Sequence, residues 1–297
     1  TNTNWNQEDA HQAEYRGKAS QLFQMNNTVF SSSDMPSASM YKPGGITMTL
    51  TDKLCGTAKP GAGKDPSGMG RWSYMVLEGK TGKELLVITV YRVSQVSMPQ
   101  LWEGTTYHQE HMIMSKTGYI NPIPRKQFIL DMIKFIQDHQ GREREILLML
   151  NANEEVGKKS QGITALVQEC SLYDNLATSH PDQQTPVTFD RGSKTIDYIL
   201  GSQRCKETIL RAGALPFYHQ IQADHRAIYA DFDGKKLFVG NQSSIILAKH
   251  RTFSSNKPAE VAKYLQAVKK YWRLHNMSEW IEKLHENLKD KEIQEVQ

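Results

Sequence analysis

The chain has 297 residues, of which 38% are hydrophobic and 23% charged, enough for one large α/β domain with an appendage or for two small domains. Its composition excludes collagen-like and disordered chains, and no apolar stretch approaches the roughly 20 residues of a membrane-spanning helix. The net charge of +4 is compatible with a phosphate-bearing partner but does not require one.

Three cysteines, Cys55, Cys170 and Cys205, lie far apart in the sequence. Their spacing matches neither a disulfide framework nor a zinc site, so we predict a reducing, intracellular environment. The polar segment TNTNWNQEDA at the start of the chain lacks the pattern of a signal peptide.

The first third of the chain contains one predicted helix and several predicted strands. The helix covers residues 8–25, and the strands cover 28–33, 44–50, 72–79 and 84–93. The Gly/Pro-rich segment 56–70 includes GAGK, but Asp65 stands where a phosphate-binding loop needs Ser or Thr. We therefore interpret this segment as a plain connection.

In the middle of the chain, helices fall between strands. Apolar residues at helical spacing predict an amphipathic helix over 125–140, and a second helix is predicted over 160–171. The predicted strands cover 145–153, 185–189, 194–202 and 226–233. This order predicts a layered α/β fold with two sheets or one mixed sheet.

The pattern changes after residue 233. Residues 234–257 are irregular and are predicted to be a linker, and residues 258–297 have apolar residues at helical spacing with charges between them. One or two amphipathic helices that pack against a neighbour are expected there. DNA contact by Lys269, Lys270 and Arg273 is the alternative.

The segment YHQEH contains His108 and His111, three residues apart, with Glu110 between them. A zinc protease motif needs its second histidine four residues after the first, with a glutamate directly after the first. We therefore expect an exposed loop or helix.

Polar residues stand at the ends of several predicted strands. The apolar run LLML ends at Asn151 and Asn153, which alternation along an extended strand would hold on the same side. The other polar strand ends are Tyr91 with Arg92, Asp197 in IDYIL, and Asp224 with His225 in ADHRAI. Polar side chains gathered at strand ends are typical of a functional site.

These segments resemble motifs of the endonuclease/exonuclease/phosphatase superfamily. LMLNAN resembles its GDFN strand end, SKTIDYILGS its RIDYIL segment, and ADHRAI its SDHRPI segment, in the family's order, while VITVYRV resembles the preceding strand that ends in Tyr. The resemblance covers about residues 1–233. It implies a four-layer α/β-sandwich of the DNase I-like type, here followed by a C-terminal helical extension.

The resemblance also implies the chemistry of phosphodiester hydrolysis. His225 would pair with Asp197 and contact the scissile phosphate, because the carboxylate orients the imidazole and supports its positive charge. Asn151 takes the position of the residue that activates water, Asn153 would position a phosphate oxygen, and Asp224 would lie near a Mg²⁺ ion that offsets charge on the phosphate.

Three further residues complete the predicted site. Tyr91 would be a catalytic residue at the end of its strand, and Arg92 and Arg71 are candidates for contact with the substrate phosphate.

Two departures from the family pattern bear on activity. The expected Asp is Asn151, which cannot take a proton, and general-base catalysis contributes roughly 10²–10⁴-fold. The family's metal-binding Glu is also missing. One alignment makes Thr1 and Asn2 the residues just after it, in a truncated chain with an incomplete Mg²⁺ site. A rival alignment treats TNTN as the family's early strand.

The segments PSGMGRWSYM and YLQAVKKYWRLH are similar to endonuclease-like domains that precede reverse transcriptases in retroelements. We predict a DNA-directed endonuclease-type domain from a retroelement polyprotein, with DNA and a fused reverse transcriptase as partners and a nuclear location in a eukaryotic host. The alternatives are a phosphatase of the same superfamily and a catalytically silent binding or structural module.

Overall fold

The computed structural model describes residues 8–23, 25–36, 42–95, 104–158, 161–217, 223–238 and 258–283. The chain divides into two compact units, 1–245 and 246–297.

A six-stranded mixed sheet forms the centre of the first unit. Its strands are β3 (Gly63–Lys64), β4 (Trp72–Glu78), β5 (Glu84–Tyr91), β6 (Glu145–Asn151), β7 (Tyr173–Asp174) and β8 (Asp197–Gly201). They lie in the order β3-β4-β5-β6-β8-β7, and β5 and β6 are parallel while the other neighbours are antiparallel. The parallel pair needs a long crossover, which α2 (Thr106–Lys116) and α3 (Pro124–Gln140) provide.

One face of this sheet packs against helices. Alternate residues of β5 and β6, such as Ile88 and Leu148, contact the apolar stripe of α3 around Met132 and the buried face of α4 (Ile163–Glu169). The three named side chains are fully buried. Short helices α5 (Asn175–Ser179) and α6 (Gln203–Thr208) flank the last strands of the sheet.

Two hairpins cover the opposite face. They are β1 (Asn26–Ser31) with β2 (Ile46–Thr51), and β9 (Ile209–Ala214) with β10 (Ile228–Phe232). Met48 and Leu50 of β2 and Phe232 of β10 pack into one core with the alternate residues of β4 and β5.

A helix lies outside the first hairpin. In α1 (Glu8–Leu22), the ring of Tyr15 packs edge-on against Phe30, with 5.7 Å between ring centroids, and its hydroxyl forms a hydrogen bond with Thr49. The order helix, sheet, hairpins, helix confirms the predicted α/β class and its four layers.

Two predicted strands differ from the structure. Residues 185–189 form no strand, and only Phe189 makes an isolated bridge, with His225. Pro186 has no N–H to donate, and the hydroxyl of Thr188 accepts backbone N–H groups from the start of β8. The strand predicted over 145–153 ends at Asn151 because Asn153 has a φ of 49°, which is left-handed.

The first unit continues beyond residue 233. Residues Gly234–Leu237 form the short helix α7, and Leu237 and Phe238 are buried in the core between the sheet and the hairpins. The first residues of the predicted linker 234–257 thus belong to the packed domain, while 239–257 lie outside the described residues.

In the second unit, α8 covers Pro258–Leu274, and residues 277–283 are again helical. Of the helices that the structure describes, none has the length and apolar character needed to cross a membrane.

Candidate active site

Three of the predicted site residues lie side by side at one edge of the central sheet. Tyr91 of β5 is paired in register with Asn151 of β6, and Asn151 is paired with Asp197 of β8. Residues paired in register share a face of the sheet. Because Asn151 alternates with Leu147 and Met149, which pack toward the hairpins, these three side chains are on the hairpin side.

His225 joins this row from a loop. Its backbone forms an isolated bridge with Phe189, and the neighbouring hydrogen bond from Asp190 N to Asp224 O anchors the same segment. The Nδ1 atom of His225 is 2.8 Å from Oδ2 of Asp197, so the structure contains the hydrogen bond that the motifs predict. The exposed Asp224 precedes His225 directly.

The environment of His225 favours its charged form. The hydrogen bond to Asp197 raises the pKa of His225, burial opposes this effect, and the charges of Asp197 and Asp224 add to the increase. With Nδ1 oriented toward Asp197, the Nε2 atom is left for a ligand.

Thr188 supports the pair and has no counterpart among the predicted site residues. It is fully buried, and its Oγ1 accepts hydrogen bonds from the N–H groups of Ile196 and Asp197 at 2.9 and 3.2 Å. The sequence around Thr188 predicted a strand and did not indicate that Thr188 bonds to the start of β8, because this contact depends on how two loops meet.

Asn151 is 7% exposed, and its Oδ1 atom is buried without a hydrogen-bond partner among the described residues. Such an acceptor is costly unless a donor or cation reaches it. Within the described ranges, however, no group of three or more His, Cys, Asp or Glu residues could hold a metal ion.

The loop after Asn151 is tied down by a buried ionic network. Oε2 of Glu154 accepts hydrogen bonds from Arg92 at 2.7 Å and from Arg125 at 2.8 Å. Asn153 donates its side-chain amide to the carbonyl of Arg92 at 2.7 Å. Asn153 and Arg92 thus hold the loop together. This contact of Asn153 differs from the prediction, in which Asn153 lies on the same side of the strand as Asn151.

Arg71 is also engaged in ion pairs. Its side chain is 1% exposed and lies 2.7 Å from Asp65 and 2.8 Å from Asp131. Arg71 is thus paired with two carboxylates, whereas Arg92 shares the single carboxylate of Glu154 with Arg125. The phosphate contacts expected of Arg71 and Arg92 stay predictions.

Exposed cations lie in the loop that leads from Phe189 to Asp197. The side chains of Arg191 and Lys194 are 78% and 63% exposed, and they are close in sequence to the residue that bridges His225. They were not among the predicted phosphate-contacting residues. A charge-bearing loop next to a predicted site residue is the signal that would have found them.

The expectation of a missing Glu and of an early Asn strand falls on residues 1–7, which lie outside the described residues.

No protein-family model matches the chain, and no curated protein matches it. Several solved structures are similar to it. The 3′ phosphatase NExo from Neisseria, bound to a product DNA hairpin, is 16% identical over 73% of this chain and 82% of its own, with a TM-score of 0.49. The AP endonuclease LMAP from Leishmania major is 11% identical over 68% and 69%, with a TM-score of 0.49.

The endonuclease domain of TRAS1, a telomere-specific non-LTR retrotransposon, is 11% identical over 69% of this chain and 80% of its own, with a TM-score of 0.42. By name these proteins are endonucleases and a phosphatase, the kinds of enzyme that the motifs resemble. With such identities and TM-scores, the likenesses assign no activity to this chain.

Proposed function

We propose that the first unit is a phosphodiester-hydrolysing domain of the endonuclease/exonuclease/phosphatase type, that it acts on DNA, and that its chemistry is impaired. The observation that supports this most strongly is the Asp197–His225 hydrogen bond beside Asn151 and Tyr91 at one edge of the sheet. This hydrogen bond links the IDYIL and ADHRAI segments, which are the two most specific motifs of the sequence.

In this proposal, His225 stabilises negative charge on the phosphate. Asp197 accepts the hydrogen bond from Nδ1 and raises the pKa of the ring, so the imidazolium persists to higher pH than usual. Its Nε2–H would donate to a phosphate oxygen, and a charge-assisted hydrogen bond of this kind strengthens as charge develops there. The exposed Arg191 and Lys194 would contact phosphates of the DNA backbone.

Asn151 limits the reaction. An amide cannot accept the proton of an attacking water, and loss of a general base costs roughly 10²–10⁴-fold in rate. The same observation favours a second candidate function, a catalytically silent module that binds nucleic acid.

Three finer parts of the proposal rest on sequence resemblance. These are the Mg²⁺ requirement, the retroelement origin with a fused reverse transcriptase, and the nuclear location. In this proposal, Asp224 would lie near the Mg²⁺ ion, which would offset charge on the phosphate when bound.

The test compares the unmodified chain with Asn151→Asp and with the double variant Asn151→Asp/His225→Ala. Each is incubated with supercoiled plasmid, abasic-site duplex and a 3′-phosphorylated oligonucleotide, with Mg²⁺ or with EDTA. We expect Asn151→Asp to nick plasmid faster than the unmodified chain, by up to roughly 10²–10⁴-fold. The double variant should lose this gain, which excludes a contaminating nuclease.

Other results would redirect the proposal. Release of phosphate without nicking would favour the phosphatase. Duplex binding without cleavage by any variant, weakened by Arg191→Ala/Lys194→Ala, would favour the silent module. Equal cleavage by the unmodified chain and Asn151→Asp would contradict the role given to Asn151.

A further inference from the structure

Apolar side chains occupy one half of α8. At about 3.6 residues per turn, positions three and four apart share a face. The apolar residues at these spacings are Val261, Tyr264, Leu265, Val268, Tyr271, Trp272 and Leu274. Five of them, Tyr264, Leu265, Tyr271, Trp272 and Leu274, are between 44% and 69% exposed, so much of this half is exposed within the described residues.

The other half of α8 is basic. Lys263, Lys269, Lys270 and Arg273 lie on it, whereas Glu260, the one acidic residue in the sequence of this helix, falls in its first turn on the same half as Tyr264. Within the part of the chain that the structure describes, none of these four cations forms an ion pair. On the helical wheel, Lys269 and Lys263 stand at the two borders between the halves.

This division decides between possible occupants. Duplex DNA would contact the basic half and leave the aromatic side chains in water, because a rigid rod reaches one side of a helix. A second copy of α8 would cover the apolar half but leave four cations on each helix without counter-charges. An anionic lipid surface binds both halves at once. The apolar side chains enter the boundary of the acyl chains, while the lysines at the two borders extend to the headgroups.

We propose that α8 lies in the plane of an anionic lipid surface, with Tyr271 and Trp272 buried at the interface and the border lysines Lys263 and Lys269 on the headgroups. Tyr and Trp suit this depth because their rings are apolar with one polar atom. The 17 residues of α8 form a rod about 25 Å long, enough for such surface binding. This association is independent of the proposed hydrolysis.

The test measures co-sedimentation of the full chain with vesicles of phosphatidylcholine alone or with phosphatidylserine added. Each basic residue near an anionic surface strengthens binding by about fivefold, so Lys263→Gln/Lys269→Gln should weaken it by about 25-fold. Trp272→Ser should weaken it by about tenfold, since a buried aromatic side chain is lost. The variant Lys53→Gln/Lys80→Gln removes two exposed cations of the first unit and should bind as the unmodified chain does.

Both changes in α8 replace exposed side chains, and circular dichroism would verify that the fold is retained. Absence of binding to phosphatidylserine vesicles would overturn the proposal. So would an equal loss in Lys53→Gln/Lys80→Gln, because binding would then follow net charge alone. Self-association abolished by Trp272→Ser, or duplex binding abolished by Lys263→Gln/Lys269→Gln, would overturn it if vesicle binding is absent.

Discussion

Glu110 is a buried acidic residue whose pKa is strongly raised. The predicted exposed loop or helix at YHQEH is the helix α2, but Glu110 is 1% exposed, and neither carboxylate oxygen has a hydrogen-bond partner among the described residues. Burial raises the pKa of Glu110 to about 8, and the charge of Arg71 offsets part of this effect. Glu110 is therefore protonated in the folded protein at neutral pH.

This burial predicts a pH-dependent stability. The folded pKa is above the unfolded value of about 4.5, so the contribution of Glu110 to stability is fully present below about pH 4.5 and is lost as pH rises through about 8. Glu110→Gln removes this loss and should stabilise the protein by about 3 kcal/mol at pH 7, with little effect near pH 4.5. Urea unfolding at both pH values measures the difference, and the exposed Glu143→Gln is the control. A gain that does not vary with pH would contradict the prediction.

At the residue scale, the Asp197–His225 hydrogen bond also predicts a titration. The raised pKa of His225 means that the pair stabilises the fold below the unfolded pKa of about 6.5 and loses this contribution as pH rises through the folded pKa. Asp197→Asn should lower the pKa of His225, which NMR of its ring protons measures. His180, which contacts the carbonyl of Ala212, is the internal control. An unchanged pKa of His225 would contradict the assigned interaction.

At the element scale, the junction between β6 and α4 depends on Glu154. Its carboxylate accepts hydrogen bonds from Arg92, from Arg125 and from the N–H of Ile163 at the start of α4. Gly162 precedes α4 with a φ of 74°, and a Cβ there would lie 2.2 Å from Oε1 of Glu154. The glycine is required because the carboxylate occupies the space of a side chain.

This network predicts that removing the carboxylate of Glu154 lowers stability strongly, while removing that of Glu155 lowers it little. Glu154→Ala leaves two buried guanidinium groups without their partner and should lower the free energy of unfolding by about 3–5 kcal/mol. Glu155→Ala removes a looser pair, 3.6 Å from the more exposed Lys194, and should cost less than about 1 kcal/mol. Equal losses in thermal and urea unfolding would show that the network does not stabilise the loop.

At the scale of the whole molecule, the end of the first unit is set by packing. Leu237 and Phe238 are buried, the hydroxyl of Thr81 donates to the carbonyl of Phe238 at 2.8 Å, and Arg204 donates to the carbonyl of Leu237 at 2.8 Å. Gly79, which directly follows strand β4, lies nearby, and a Cβ there would lie 2.6 Å from Cβ of Phe238.

These contacts predict where the chain tolerates truncation. A chain shortened to residues 1–233 should be less stable than one shortened to 1–245 by about 3–6 kcal/mol, because two buried apolar side chains are lost. The 1–245 chain should match the unfolding midpoint of the first unit in the full-length protein. Equal midpoints for the two shortened chains would place the boundary at residue 233.

The sequence by itself determined the elements whose patterns are local. Helix α3 and strands β4, β5, β6 and β8 were predicted within a few residues, because apolar spacing and alternation depend on neighbours along the chain. The resemblance of the motifs around Asp197 and His225 to those of a known family likewise implied a hydrogen-bonded pair.

Only the tertiary structure decided the fate of polar groups whose partners are distant in sequence. Arg71 and Arg92 were predicted to contact phosphate, and only the fold shows that Arg71 also pairs with the distant Asp131 and that Arg92 pairs with the distant Glu154. Glu110 and Thr188 are buried because elements from different parts of the chain pack around them. Asn153 does not lie beside Asn151, because the chain turns after the strand and the Asn153 side chain bonds to the carbonyl of Arg92. Burial and ion pairing depend on which segments meet in space, and the pattern of residues along one segment does not contain that information.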